Sequence, residues 1–252
     1  MLLPTQRFSN RVENYIRYRP SYPREIIDLL RAECGLTLDS VVADIGFGTG
    51  KLTELILPHA KCVVGIEPNV EMREAGERLM QAHSNFFSLA GTAEATTLAG
   101  NSVDLIVAGQ AFHWFDRKRA RTEFERILKP GRHVALIWNA LQTGTAPFLI
   151  AYEALLRQFA PEYERVNHRN VDLRTLAEFF RREPQCRSFP YMQYFDFAGL
   201  RGRLLSSSYV PAEGDPGCAE MLNQLREIFD AHQQNGHVEF RYDSLVYISE
   251  LA

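Results

Sequence analysis

The chain has 252 residues, 46% of them hydrophobic, with sixteen Phe and ten Tyr. That is enough apolar material to bury a sizeable core, which excludes a disordered or fibrous chain and fits one large domain or two small ones. Lys and Arg number 28 against 31 Asp and Glu, a net charge of −3, without the basic excess by which a protein neutralises nucleic-acid phosphates.

In chain order, the start Met1-Leu2-Leu3-Pro4-Thr5-Gln6-Arg7 has no basic n-region and no long apolar run. No signal peptide is therefore expected, and the cytoplasm is the expected compartment. No stretch is apolar for long enough to span a bilayer, so no membrane partner is expected. From Val41 onward, short β-branched runs alternate with helical patterns. Val41 to Ile45 reads as a buried strand, then a glycine turn, then an amphipathic stretch with Leu52, Leu55 and Ile56 inward that Pro58 stops. Cys62 to Ile66 reads as a strand, Asn69 to Gln81 as a helix, Asn85 to Leu89 and Val103 to Ala108 as strands, and Arg117 to Leu128 as a helix. Pro130-Gly131 reads as a turn into the strand His133 to Trp138. Continuous apolar strands between crossover helices imply a doubly wound α/β fold, with a mostly parallel sheet covered on both faces.

Beyond Trp138 the rhythm changes. Phe148, Tyr152, Leu155, Leu156 and Phe159 make one helical stripe, and Leu173, Leu176, Phe179 and Phe180 make another. Phe189 to Phe197 reads as a strand, Met221 to Phe229 as a helix, and Val238, Phe240 and Tyr242 alternate as a final strand. Two strands are too few for a sheet of their own. They are expected to extend the first sheet to seven strands, within a single domain over residues 1–252. Residues 36–138 then form a cofactor-binding core, and 139–252 a helical lid with the last two strands. The four cysteines form no C-x-x-C pair and the seven histidines no H-E-x-x-H, so neither a zinc site nor a disulfide framework is expected.

The chemistry concentrates at Asp44-Ile45-Gly46-Phe47-Gly48-Thr49-Gly50, where the first strand meets the first helix. In an open parallel sheet, ligands bind at such strand ends, and glycines let a ligand approach the backbone closely. A dinucleotide fingerprint fails because Lys51 stands where its third glycine belongs. A P-loop fails because Ile45 and Leu52 replace its first glycine and its hydroxyl. Glu67, at the end of the second strand, suits the two hydroxyls of a ribose.

The pattern D-x-G-x-G-x-G resembles motif I of the class I S-adenosylmethionine-dependent methyltransferases. Gln110-Ala111-Phe112-His113-Trp114-Phe115-Asp116, Leu128-Lys129-Pro130-Gly131 and Tyr15-Ile16-Arg17-Tyr18-Arg19-Pro20-Ser21-Tyr22-Pro23 resemble elements of the methyltransferase type 11 group. That resemblance is greatest to small-molecule enzymes related to trans-aconitate methyltransferase, and it covers about residues 8 to 138. It implies S-adenosyl-L-methionine as cofactor, held by Asp44, Gly46, Gly48, Gly50, Glu67, Met72, Thr92, Ala93, Glu94, Gln110 and Arg19. Thr92 stands where many relatives carry an acid on the adenine amine, so either its hydroxyl or Glu94 takes that contact.

Arg19 suits the cofactor's carboxylate or an acidic substrate, and Met72 is expected over the adenine ring. His113 is the candidate base, with packing against the cofactor as its alternative. The acceptor implied is a small molecule, with a carboxylate as one candidate. A nicotinamide oxidoreductase, a nucleic-acid methyltransferase and a non-catalytic cofactor-binding protein are the rival readings. Glu67→Ala is expected to weaken cofactor binding without unfolding the protein.

Overall fold

The computed structural model describes residues 11–144, 146–163 and 171–251; the Met1 to Arg7 segment lies outside them. Seven strands form one sheet: β1 (Val41–Ile45), β2 (Cys62–Ile66), β3 (Phe86–Leu89), β4 (Val103–Gly109), β5 (Leu128–Leu141), β6 (Gln185–Phe195) and β7 (Val238–Glu250). Their order is β3-β2-β1-β4-β5-β7-β6. The first five pair in parallel, and β7 runs antiparallel to both β5 and β6. The two late strands therefore extend the first sheet, as expected. Strand order reverses between β1 and β4, which opens a crevice at their carboxyl ends. Gly46 follows one strand and Gln110 the other.

The helices in chain order are α1 (Val12–Tyr18), α2 (Glu25–Cys34), α3 (Lys51–Ile56), α4 (Val70–Met80), α5 (Arg117–Ile127), α6 (Pro147–Phe159), α7 (Leu173–Phe180), α8 (Phe197–Leu205) and α9 (Cys218–His232). Period-2 alternation along the strands assigns the two faces. Val42, Leu105, Val107 and Ile137 face α2 and α3, where Ile26, Leu30, Leu52 and Ile56 are buried. Ala43, Ile106, Val134 and Leu136 face α5 and α7.

Four sequence expectations change. Pro130-Gly131 makes a bulge inside β5 instead of a turn before it: the register passes from Val103↔Leu128 to Leu105↔His133. The extra residues on one strand bend it without ending the pairing. The late strand starts earlier, at Gln185, and stops at Phe195, because Asp196 caps α8 by accepting from the Gly199 N–H at 2.8 Å. Helix α7 is not part of a lid: Leu176, Phe179 and Phe180 pack with Phe112 and Phe124 on the sheet face, and Leu173 is exposed. Finally α1, α2 and α8 carry no counterpart in the sequence reading.

The roof over the crevice consists of α6, α8 and α9 packed on Phe195, Phe240 and Tyr242. The N-terminal segment is tied to it. Arg11, largely buried, donates to the carbonyls of Leu205 at 2.9 Å and of Ser207 and Val210 at 2.7 Å each. These bonds stabilise the roof and hold α1 above the ends of β1 and β4.

Candidate functional site

Two adjoining cavities occupy the crevice. The first is a cleft of about 160 Å³ lined by Glu67, Asn69, Met72, Thr92, Ala93, Glu94 and Phe115. The second is a chamber of about 150 Å³ lined by Arg19, Asp44, Lys51, His113, Asn139, Tyr152, Arg203, Ser208, Tyr209 and Tyr242, among others. Tyr15, Gly46, Gly109, Gln110 and Trp114 line both, so the cavities meet at the ends of β1 and β4.

Local structure explains each position. Gly46 has φ +74°, and a Cβ there would stand 2.6 Å from the Ala111 Cβ. Any side chain would thus force the β1 turn away from the end of β4. The Glu67 carboxylate bridges the two turns: Oε2 accepts from Gly48 N–H at 3.0 Å and Oε1 from Asn69 N–H at 2.9 Å. Each oxygen keeps a second lone pair for a ligand. Burial raises the Glu67 pKa, against the opposing pull of its backbone hydrogen bonds and Arg73. Asn69 caps α4 through its side chain, accepting from Met72 N–H at 2.8 Å, which seats Met72 in the cleft wall. Glu94 Oε1 accepts from Asp116 N–H at 2.8 Å, so this acid also fastens the loop that carries His113 and Trp114.

Asp44 is 1% exposed. Its Oδ2 accepts from the Thr53 hydroxyl at 2.7 Å, while Oδ1 is buried with no partner among the described residues. Desolvation, with a smaller push from Glu67, raises its pKa to about 7 against the Thr53 hydrogen bond. A buried acceptor without a donor is a vacancy for a cationic or donor group of a ligand. Gln110, which lines both cavities, has φ +57°, a backbone conformation that non-glycine residues adopt mainly at functional sites. Its side chain donates to the Asn139 carbonyl at 3.2 Å.

Arg19 is not a solvated surface arginine. Its Nε donates to Ser206 Oγ at 3.0 Å, and one terminal nitrogen reaches the Ser206 carbonyl at 3.2 Å and Ser207 Oγ at 3.1 Å. The guanidinium lies over the Tyr15 ring at 5.4 Å. Burial first, then the Arg203 charge, lowers its pKa. Arg203 reaches the same Ser207 Oγ at 3.4 Å. Tyr209 and Tyr242 favour the charged form of both guanidiniums, and neither arginine forms an ion pair with a carboxylate of the described residues. His113 sits in the short helical turn Phe112–Trp114 with its ring 4.7 Å from Trp114.

Ten of the twelve sequence-derived site residues thus line the joined cavities. Gly48 and Gly50 shape the turn behind them. Sequence reasoning missed Arg203, Tyr152 and Tyr242. Tyr152 belonged to a helical stripe of the expected lid with no site role assigned to it, and it is buried yet lines the chamber. Arg203 carried one signal: a charge among Leu200, Leu204 and Leu205 on a helix whose neighbours are buried.

A methyltransferase domain model matches residues 43–136. The chain is similar to an uncharacterized methyltransferase of Mycobacterium tuberculosis, at 41% identity over 225 residues covering 89% of this chain and 86% of the relative. It is 35% identical over 100 residues to the malonyl-acyl-carrier-protein O-methyltransferase of Methylococcus capsulatus, covering 36% of this chain and 34% of that one. Among solved structures, a candidate type II methyltransferase from Anaeromyxobacter dehalogenans shares the fold, with a TM-score of 0.65 at 21% identity over 93% of this chain and 98% of the other.

Proposed function

The chain belongs to the S-adenosylmethionine-dependent methyltransferases, and on that premise we propose that its acceptor is a small carboxylate, which it converts to a methyl ester. The observation that carries this reading is the guanidinium pair. Arg19 and Arg203 share the Ser207 hydroxyl inside a chamber wall, and neither forms an ion pair with a carboxylate of the described residues. Arginines held this way are costly unless an anion joins them, and their planar fork fits a carboxylate. The Methylococcus relative is by its name an O-methyltransferase of a malonyl group on acyl-carrier protein.

The residues of the cleft suit the cofactor. The unpartnered Asp44 Oδ1 takes its ammonium group, Glu67 its ribose hydroxyls, and Met72, Thr92, Ala93 and Glu94 its adenine. Gln110 with the Gly46 turn, where the two cavities meet, holds its centre, and Arg19 lies over the Tyr15 ring on the chamber side, where the acceptor carboxylate would meet it. When bound, the cofactor supplies an electrophilic methyl on a sulfonium. A carboxylate acceptor would bring its own lone pair to that methyl, so the residues here would need only to hold cofactor and acceptor in line. No proton moves. The task left to the protein is alignment and exclusion of water, and positioning of this kind is worth roughly 7–11 kcal/mol of barrier.

Incubation with methyl-labelled cofactor and fractionated metabolites tests the reading. The labelled product is expected to be neutralised by one charge and to release labelled methanol in mild alkali. An alkali-stable label would assign the methyl to nitrogen, carbon or an ether oxygen instead.

His113 has a packing role in this scheme, as a wall beside Trp114. His113→Ala is expected to lower kcat by less than about tenfold, whereas losing a general base costs about 10²–10⁴-fold. The pH–rate profile should keep its shape through the imidazole range. A hundredfold loss together with disappearance of a limb that the parent shows in the imidazole range would make His113 a base and the acceptor a hydroxyl or amine.

A further inference from the structure

The chain from Tyr15 to Tyr22 crosses the place where the two cavities meet: Tyr15 lines both, and Arg19, Pro20 and Tyr22 line the chamber. No backbone–backbone hydrogen bond among the described residues ties this segment to the sheet. Side chains hold it instead, and they hold it by its carbonyls. Lys51 Nζ donates to the Ile16 carbonyl at 2.9 Å. In a continuing helix that carbonyl would accept from the residue four positions on, but Pro20 stands there without an N–H. As the first residue of α3, Lys51 occupies the end of that helix that disfavours a cation. Its ammonium reaches the last turn of α1, the end that favours one. Asn139 Nδ2 donates to the Ser21 carbonyl at 2.8 Å. A carbonyl can only accept, which fixes the amide orientation, and Asn139 Oδ1 accepts from the Ser244 hydroxyl at 2.6 Å. The Asn139 main-chain carbonyl accepts from the Gln110 side chain, so one residue joins the segment, β7 and the end of β4. Gln193 adds a longer bond to the Tyr18 carbonyl, at 3.4 Å.

We infer that Lys51 and Asn139 are positioning residues of the transfer reaction, two catches that hold Tyr15–Tyr22 across the junction and set how fast the cofactor enters and leaves. The inference rests on the cofactor reading above and adds the control of its exchange. Both catches take main-chain carbonyls, which leaves the side chains of Tyr15, Arg19 and Tyr22 to line the cavities. A segment without backbone bonds to the sheet opens at a lower free energy than the strands beside it. The cofactor's centre, at the Gly46 turn, lies beneath this segment, so the cofactor passes when the catches part. Lys51 follows the glycine turn and Asn139 holds Gln110. Each catch is therefore seated on an element that frames the cofactor's centre, and closing the segment fixes the junction in the same movement.

The test is the binding kinetics of S-adenosylhomocysteine to the full chain, followed by tryptophan fluorescence, since Trp114 lines both cavities. Lys51→Met is expected to raise the association and dissociation rate constants together by about tenfold, the scale of one hydrogen bond to a charged group. Kd should change far less than either rate. Lys51→Arg, which keeps a cationic donor for the Ile16 carbonyl, should return both rates toward those of the parent. Asn139→Asp keeps the acceptor for Ser244 and sets a carboxylate oxygen against the Ser21 carbonyl, so it should speed both rates as well. Trypsin cleavage after the exposed Arg17 should be slowed by S-adenosylhomocysteine in the parent and less so in Lys51→Met. A rise in dissociation alone would make the lysine an ordinary ligand contact and overturn its part as a catch. A Lys51→Met variant that melts lower yet keeps the parent's rates would make it structural, with the same result. If the parent binds S-adenosylhomocysteine and both variants keep its rates, the catches fall and the cofactor reading stands. If the parent does not bind it, both fall.

Discussion

Replacing Asp44 by Asn is expected to weaken cofactor binding by about two orders of magnitude, the scale for leaving one member of a buried charge pair without its partner. The substitution keeps the shape of the side chain and the acceptor for the Thr53 hydroxyl, so its effect isolates the charge. The sign with pH follows from the raised pKa of about 7. Below that value Asp44 is protonated and cannot attract an ammonium group. Affinity for the cofactor should therefore rise with pH through about 7 and level off above it, being roughly tenfold weaker one pH unit below the midpoint. In the Asn variant that dependence disappears. Stability runs the other way. A carboxyl whose folded pKa lies above its unfolded value contributes stability that is full below the unfolded pKa and is lost as pH rises through the folded one. The unliganded protein should thus lose stability from about pH 4 to pH 7 through this group, and the Asn variant should melt higher than the parent above pH 8. Calorimetric titration and thermal melts across that range measure both. A cofactor affinity indifferent to pH and to the substitution would remove Asp44 from the site.

Glu67→Ala is expected to damage the fold as well as the site, contrary to what the sequence alone suggests. The carboxylate is 9% exposed and accepts from two backbone N–H groups, those of Gly48 and Asn69. Losing both strands two donors in a buried turn, at about 1–3 kcal/mol each. For a chain of this length that lowers the melting temperature by several degrees, at roughly 2–4 °C per kcal/mol. The ligand contact can be separated from this structural loss. The parent should favour S-adenosylhomocysteine over its 2′-deoxyribose analogue, and the variant should bind the two alike. An unchanged melting temperature would show that the turn holds itself. A preserved preference for the ribose would show that another group reads its hydroxyls.

The cofactor half was legible because its determinants are local. The turn from Gly46 to Gly50, the acid that ends β2 and the residues after β3 and β4 all follow strand ends. Parallel pairing brings those ends together whatever the rest of the chain does. The second chamber was opaque for the opposite reason. Tyr15, Tyr152, Arg203 and Tyr242 come from α1, α6, α8 and β7, and they meet only because β7 inserts beside β5. Helix α8 was hidden further by its composition. Gly199 and Gly202 lower helix propensity, yet a Cβ at Gly202 would run into the Tyr18 ring. A helix-weakening residue is there to let α1 approach. The Pro130-Gly131 bulge shows a similar limit: proline and glycine mark a departure from regular pairing, but only the partner strand decides whether pairing resumes.

The position of β7 also sets an order of events during synthesis. Strand β6 has β7 as its hydrogen-bonded neighbour, and β7 lies some fifty residues further along the chain. A nascent chain can pair β1 to β5 as each strand leaves the ribosome. It must hold Gln185–Phe195 and the helices after it waiting until Val238–Glu250 emerges. The nucleotide-shaped half of the molecule is thus complete early, and cofactor present in the cell can stabilise it by mass action before translation ends. The half that roofs the second chamber closes last.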